Sequence, residues 1–424
     1  MDLWIARGNG QAKEIAIPPS KSLAHRLLIC AGLSCGESRL EDIGRGKDIL
    51  ATKKALLAMG ARFKEDGNIL CVHGVDPHAQ WARKEINCGE SASTLRFFIP
   101  LAALAKQEIA FYGSGRLMER PLGPYENIFR SQGLCFAWKD GALRVAGKLM
   151  PGHYEVEGGV SSQFVSGLLM ALPLLEKDSM VIAKDPFESA PYVSMTLAIM
   201  AKAGIRVGRE GNIFHVPGGQ TYMPLLARCE GDDTQAAVFA CLAQACHRSI
   251  RVFNISHASM QGDRVFLDIL KDMGARIETT SDGYRFFPSL LNGITVDLSD
   301  CPDLGPVLFA VASLAQGESV FTGCARLRLK ESDRIASMKM ELEKLGVEVD
   351  DHEGGIVRIH GGAKLKTDVG LDGHGDHRVV MALSVLAASQ EIPLCISGCE
   401  AVEKSYPGFF ADLAKAGCLV QCHK

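Results

Sequence analysis

One pattern constrains this chain more than any other: a helix, a glycine, a strand and a glycine-containing turn, recurring six times. It reads ILATKKALLAMGARFKEDGNILCV around Gly60, YENIFRSQGLCFAWKDGALRV around Gly133 and VSMTLAIMAKAGIRVGREGNIFHV around Gly204. It returns as RVFLDILKDMGARIETTSDGYRFF at Gly274, IASMKMELEKLGVEVDDHEGGIVRI at Gly346 and FFADLAKAGCLVQC at Gly417. Successive glycines lie 73, 71, 70, 72 and 71 residues apart. A period that regular means one supersecondary unit used six times. Each glycine stands where a helix end needs a left-handed residue, and the Asp-Gly and Gly-Asn pairs beyond suit tight hairpins.

Every unit also carries a second helix, read from a polar start followed by an apolar run. These are SKSLAHRLLICAGL, SASTLRFFIPLAALA, SSQFVSGLLMALPLL, DDTQAAVFACLAQA, DLGPVLFAVASLA and GDHRVVMALSVLAA. Helices apolar on nearly every side belong at the centre of a domain. Their polar N-terminal ends present unpaired N–H groups and a positive dipole end, suited to phosphate or carboxylate.

At 424 residues the chain is too long for one core, so the six units divide three and three. The sixth stops at CLVQCHK, before its hairpin closes, and the N-terminal segments LWIAR and KEIAI are expected to complete it. The prediction is a continuous domain over 19–229 and a discontinuous one from 1–18 with 230–424, an α/β architecture. Pro18-Pro19 and Leu226–Gly231 would be the crossings, with a cleft between the domains.

Composition removes other classes. With 47% hydrophobic and 22% charged residues, disorder is excluded, and a net charge of -3 argues against a nucleic-acid binder. No basic leader precedes an apolar stretch and no apolar run reaches membrane-spanning length, so a cytoplasmic protein is expected. The 14 cysteines are scattered without a CxxC pair, and read as free, mostly buried thiols rather than metal ligands or disulfides. Nothing points to an oligomer, and a monomer is expected. Nucleotide P-loop, dinucleotide, HExxH and GxSxG signatures are absent.

The polar helix starts hold the residues that could carry chemistry. PSKSLAHR brings Lys21, Ser22 and Arg26, and ERP brings Arg120, with Arg116 beside Glu119. Ser161, Ser162 and Gln163 follow a Gly-Gly pair, while Asp303 in CPDLGP stands where a helix cap would. LKESDRI holds Lys330, Glu331, Asp333 and Arg334; GDHR holds Asp376, His377 and Arg378; EKSYPGFF holds Lys404. Each cluster alone could be a cap or a solvated helix end. At equivalent edges of repeated units they would share one cleft. Lys21, Arg120, Arg334, Arg378 and Lys404 would then be five unpaired cations, a density that calls for an anionic, phosphate-bearing ligand.

In order along the chain, PSKSLAHR, SASTLR, RLMERP, SSQFVSGLLMALPL, APYVSMT, QGDRVF, PDLGP, LKESDRI, GDHRVVM and EKSYPGFF resemble the motif series of the 5-enolpyruvylshikimate 3-phosphate (EPSP) synthases. That resemblance implies a two-domain inverted α/β barrel of six βαβαββ units, three per domain, with the active site in the inter-domain cleft. It implies transfer of the enolpyruvyl group of phosphoenolpyruvate to the 5-hydroxyl of shikimate 3-phosphate through a tetrahedral intermediate, with no cofactor and no metal. Carried over residue by residue, Ser22, Arg26, Ser161, Ser162, Ser189, Tyr192 and Lys330 resemble the shikimate 3-phosphate site, with Asp303 also at that ligand. Lys21, Ala92, Arg120, Arg334, Arg378 and Lys404 resemble the phosphoenolpyruvate site, and Gln163 would lie between the two ligands. Asp303 is expected to take the hydroxyl proton, with Glu331 and Lys21 handling the methyl proton.

The sequence departs from the family pattern at Pro19, at Ala24-His25 and at Arg326. Ala92 stands where the family commonly has glycine, and its methyl is expected to crowd an inhibitor longer than phosphoenolpyruvate, such as glyphosate. The sister transferase acting on UDP-N-acetylglucosamine is the nearest alternative, but its loop cysteine is missing from YGSGRLMERP. A non-catalytic binding protein on the same scaffold would not need the full charged set.

Overall fold

Each recurrence folds into a four-stranded sheet, and all six sheets share one pairing scheme. The computed structural model describes residues 1–10 and 14–422. In the sheet Glu85–Asn87, Ile109–Tyr112, Ala142–Ala146, Cys135–Lys139, the first two strands are parallel and the rest antiparallel. The same sequence of pairings holds for His153–Glu157 with Ser179–Lys184, Ile213–Val216 and Gly208–Glu210. A parallel pair adjacent in sequence demands a crossover, and an apolar helix supplies it in four sheets. In the other two the parallel partner comes from elsewhere in the chain, Leu226–Arg228 beside Glu37–Glu41 and Ile15–Ala16 beside Ile250–Phe253, with an apolar helix in the crossover position all the same.

Among the described residues, twelve α-helices alternate between two roles. The crossover helices are α1 (Lys21–Gly32), α3 (Ala92–Ala102), α5 (Ser162–Ala171), α7 (Asp233–Ala245), α9 (Gly305–Leu314) and α11 (His377–Ser389). Between them come α2 (Lys47–Met59), α4 (Gly123–Ser131), α6 (Ala190–Lys202), α8 (Phe266–Asp272), α10 (Arg334–Lys344) and α12 (Phe409–Lys415). Every residue of α7 and α11 is buried, and α7, α9 and α11 pack on one another. A fully buried Val or Leu contributes about 2 kcal/mol, so these helices are the core rather than a coat on it.

The six period glycines all take positive φ, from 67° at Gly133 to 114° at Gly60. At Gly60 the amides of Gly60 and Ala61 both reach back to the Leu56 carbonyl and close α2. At Gly417 a side chain would meet the Arg248 Nη1 and the Gly10 carbonyl, each at 2.6 Å. Arg248 donates there to the carbonyls of Gly417, Gly10 and Gly8.

The chain forms two compact units, Met1–Pro18 with Glu230–Lys424, and Pro19–Cys229. In the first, the two N-terminal strands part company, which corrects the expectation that both complete the sixth repeat. Leu3–Ala6 does so, lying antiparallel between Leu394–Ser397 and Leu419–Cys422. Ile15–Ala16 instead pairs in parallel with Ile250–Phe253 and opens the fourth sheet. Lys13, at the head of the expected KEIAI strand, and His423 and Lys424 lie outside the described residues. In the second unit, Leu226–Arg228 pairs in parallel with Glu37–Glu41, so the end of this stretch supplies the opening strand of its first sheet.

Candidate functional site

In the continuous unit the crossover helices begin on serine hydroxyls. Ser20, Ser91 and Ser161 cap α1, α3 and α5, accepting from the amides of Leu23, Thr94 and Gln163. A hydroxyl cap satisfies one amide and adds no charge, so the positive end of each helix is left to attract an anion.

Arg26, one turn into α1, is buried and held by Thr196 Oγ1 at 2.7 Å, the Ser22 carbonyl at 2.7 Å and the Tyr192 carbonyl at 3.0 Å. Burial lowers its pKa to about 10. Ser189 heads α6 in a left-handed conformation, φ 58°, and its carbonyl accepts from the Tyr192 amide. Ser22, Arg26, Ser189 and Tyr192 thus meet at the α1–α6 contact. Ser161 and Gln163 are joined by a residue that the sequence reading left without a role. Arg96 donates to Gln163 Oε1 at 2.9 Å, Ser161 Oγ at 3.3 Å and the Pro121 carbonyl at 3.2 Å. Gln163 in turn donates to Ser93 at 2.9 Å, tying α5 to the start of α3. A lone arginine in the apolar run of SASTLRFFIPLA was the available signal. Ala92 is the first residue of α3, Ser162 the first of α5, and Arg120 closes the short turn Leu117–Glu119. Arg116 is on the surface, 3.7 Å from Glu119.

Lys21 pairs with Asp48 of α2 at 3.0 Å, and both side chains are largely buried. Asp48 was also missed. A single acid in the first turn of a helix is ordinarily a dipole partner, and only the fold reveals the lysine beside it.

The discontinuous unit gathers its set differently. Arg334, 1% exposed, binds three carboxylates: Asp376 at 2.8 Å, Asp303 at 2.9 Å and Glu331 at 3.0 Å. Burial alone would depress its pKa, but Asp376, Glu331 and Asp303 together outweigh that and raise it. Asp303 also lies 3.4 Å from Lys330 and 3.4 Å from Arg378, while Glu331 lies 3.5 Å from Lys404. The two carboxylates expected to move protons therefore sit in one network with Lys330, Arg334, Arg378 and Lys404.

One alternative is removed and one expectation changes here. Asp303 does not cap α9, whose start carries no side-chain cap; it is an ion-pair centre. And the cations are not unpaired, because Lys21, Arg334, Arg378 and Lys404 each face a protein carboxylate. The spare capacity is finer than that: buried Arg378 keeps Nε and Nη1 without a partner. Such donors strongly favour an acceptor. Burial opposes the charge on Arg378, but Asp303 and Asp232 more than restore it. Desolvation lowers Lys330 to about 8 against the pull of Asp303, so near neutrality it can give up a proton. Asp333 caps α10 through the Ala336 amide at 3.0 Å, and Asp376 caps α11 through the Arg378 amide at 2.9 Å.

The six-sheet α/β scaffold has solved counterparts. The enolpyruvyl transferase NikO from Streptomyces tendae superposes with a TM-score of 0.78 at 14% identity, covering 99% of this chain and 98% of its own, a likeness of fold. An EPSP synthase from Acinetobacter baumannii superposes with a TM-score of 0.81 at 25% identity, covering 99% of this chain and all of its own. These place the architecture in the enolpyruvyl transferase class. In sequence, the 3-phosphoshikimate 1-carboxyvinyltransferases of Clostridium kluyveri and Clostridium acetobutylicum are 42% and 40% identical, over 95% of both chains in each case. The profile of EPSP synthase (3-phosphoshikimate 1-carboxyvinyltransferase) matches residues 5–413, and the chain belongs to that family.

Proposed function

We infer that this chain transfers the enolpyruvyl group of phosphoenolpyruvate to the 5-hydroxyl of shikimate 3-phosphate and releases phosphate. The observation that carries the reading is Asp303, a carboxylate shared by Lys330, Arg334 and Arg378, with unpartnered Arg378 donors beside it. Asp303 takes the hydroxyl proton as the oxygen attacks C2, and Glu331 with Lys21 delivers a proton to C3. The resulting adduct returns the C3 proton and expels phosphate. Ser22, Arg26, Ser161, Ser162, Ser189, Tyr192 and Lys330 hold shikimate 3-phosphate in this reading. Lys21, Ala92, Arg120, Arg334, Arg378 and Lys404 take phosphoenolpyruvate, and Gln163 contacts both. Cationic groups at the phosphate and carboxylate stabilise charge that grows as the adduct forms.

The test is phosphate release from phosphoenolpyruvate with shikimate 3-phosphate or UDP-N-acetylglucosamine as acceptor. Release is expected with shikimate 3-phosphate only, and Asp303→Asn should lose about a thousandfold in kcat. Release with the sugar nucleotide alone would move the reaction to the sister chemistry. We further propose a cytoplasmic monomer. Fourteen unbridged cysteines suit a reducing compartment, and no helix among the described residues is long and apolar enough to cross a membrane. Gel filtration of the assayed protein reads the monomer directly.

A further inference from the structure

Beneath Lys21 runs a line of buried hydrogen bonds that the reaction scheme does not use. His25 Nδ1 meets Thr52 Oγ1 at 2.7 Å, Thr52 Oγ1 meets Thr94 Oγ1 at 2.7 Å, and Thr94 Oγ1 donates to Ser91 Oγ at 2.8 Å. All four side chains are fully buried. The line crosses from α1 to α2 to α3.

Its polarity follows from counting hydrogens. Each hydroxyl has one to give. Thr94 gives its hydrogen to Ser91, so Thr52 must donate to Thr94, and His25 must donate to Thr52 through Nδ1. Nε2 is then a bare lone pair, and it has no partner. Burial, with Lys21 and Arg26 nearby, keeps the ring uncharged, which this arrangement needs.

The placement matters more than the bonds. His25 lies one turn after Lys21 on α1, and Thr52 one turn after Asp48 on α2. The Lys21–Asp48 pair and the His25–Thr52 bond are therefore two rungs between the same two helices. The third bond reaches the Ser91 cap, next to Ala92. We propose that His25, acting through Thr52 and Thr94, is a positioning residue that holds Lys21, Asp48 and the Ser91–Ala92 helix start in register for phosphoenolpyruvate. The inference rests on the reaction proposed above.

The experiment compares His25→Leu, Thr52→Val and His25→Asn by KM for each substrate, kcat and thermal melting. Thr52→Val keeps the β-branched shape, so it remains informative if His25→Leu fails to fold. Losing one relay bond is expected to raise the KM for phosphoenolpyruvate about tenfold, with the KM for shikimate 3-phosphate within about twofold. The double variant should be no worse than either single one, because both break one line. His25→Asn puts an amide donor near the Nδ1 position and should restore most of the loss. Unchanged phosphoenolpyruvate KM in folded Thr52→Val, equal rises for both substrates, or no rescue by asparagine would overturn the inference while leaving the reaction standing. A parent protein that releases no phosphate at all would overturn the reaction reading, and this inference with it.

Discussion

The two units use one strand-and-helix scheme and opposite electrostatics at their helix starts. In 19–229 the crossover helices are capped by Ser20, Ser91 and Ser161. In the other unit α7 and α11 are capped by Asp232 and Asp376, and α9 by no side chain. A serine cap leaves the helix dipole, about half a charge, available to a ligand, whereas an aspartate cap neutralises it from within. The serine-capped unit is suited to receive an anion. The aspartate-capped unit instead uses its carboxylates to hold arginine and lysine in place, and those groups do the charged work. One backbone plan thus carries two charge patterns, set by the caps Asp232 and Asp376 together with the non-capping carboxylates Asp303 and Glu331.

The sharpest way to break that contrast is Asp376→Ser. The cap bond to the Arg378 amide can survive, but Arg334 loses its closest carboxylate. Removing one of the three carboxylates around buried Arg334, with Asp303 and Glu331 still in place, is expected to cost about 2 to 3 kcal/mol, read by denaturant melts. The same swap at an exposed cap would cost only about 0.3 kcal/mol, because Asp and Ser cap about equally well. A loss at that lower figure would mean that the carboxylate serves only as a cap.

A second variant probes the same unit through pH. Asp233, beside the Asp232 cap, has both side-chain oxygens buried without a partner. Burial, with Asp232, Glu230 and Asp263 adding to it against Arg264, raises its pKa from 3.8 to about 8. Between those values the folded chain keeps a proton that the unfolded chain has lost, so this group's contribution to stability falls as pH rises through the window. Asp233→Asn should be more stable than the parent by about 2 kcal/mol above pH 8, with the gain vanishing toward pH 3.8. A gain independent of pH would show that the carboxyl is not held neutral.

The smallest effect is expected at the serine-capped end of α3. Ala92→Gly removes one methyl, worth about tenfold in fit, and should tighten glyphosate inhibition by that factor while phosphoenolpyruvate KM moves little. Equal inhibition of both proteins would remove Ala92 from the ligand pocket.

Local signals in the sequence were reliable where the cause is local. The six period glycines mark helix ends because only a left-handed residue fits there, and all six take positive φ. The six polar-then-apolar runs became the crossover helices. What stayed hidden depends on partners far along the chain. Nothing near Asp48 announces Lys21, and Arg96 reads as a stray charge until Gln163, 67 residues later, lies against it. Asp303 looked like a cap because caps are commonest at such a position; three cations from two other segments give it a different task. The destination of Ile15–Ala16 was equally illegible, since two short apolar segments carry no record of which sheet each will join.

The antiparallel placement of Leu3–Ala6 between Leu394–Ser397 and Leu419–Cys422 has a consequence for the order of assembly. At ribosomal speeds of up to about 20 residues per second, its two neighbours follow it by roughly twenty seconds or more. Until then Leu3 and Ile5, both buried in the finished protein, have no sheet to join. Of the described strands, the one made earliest is among the last to find its place.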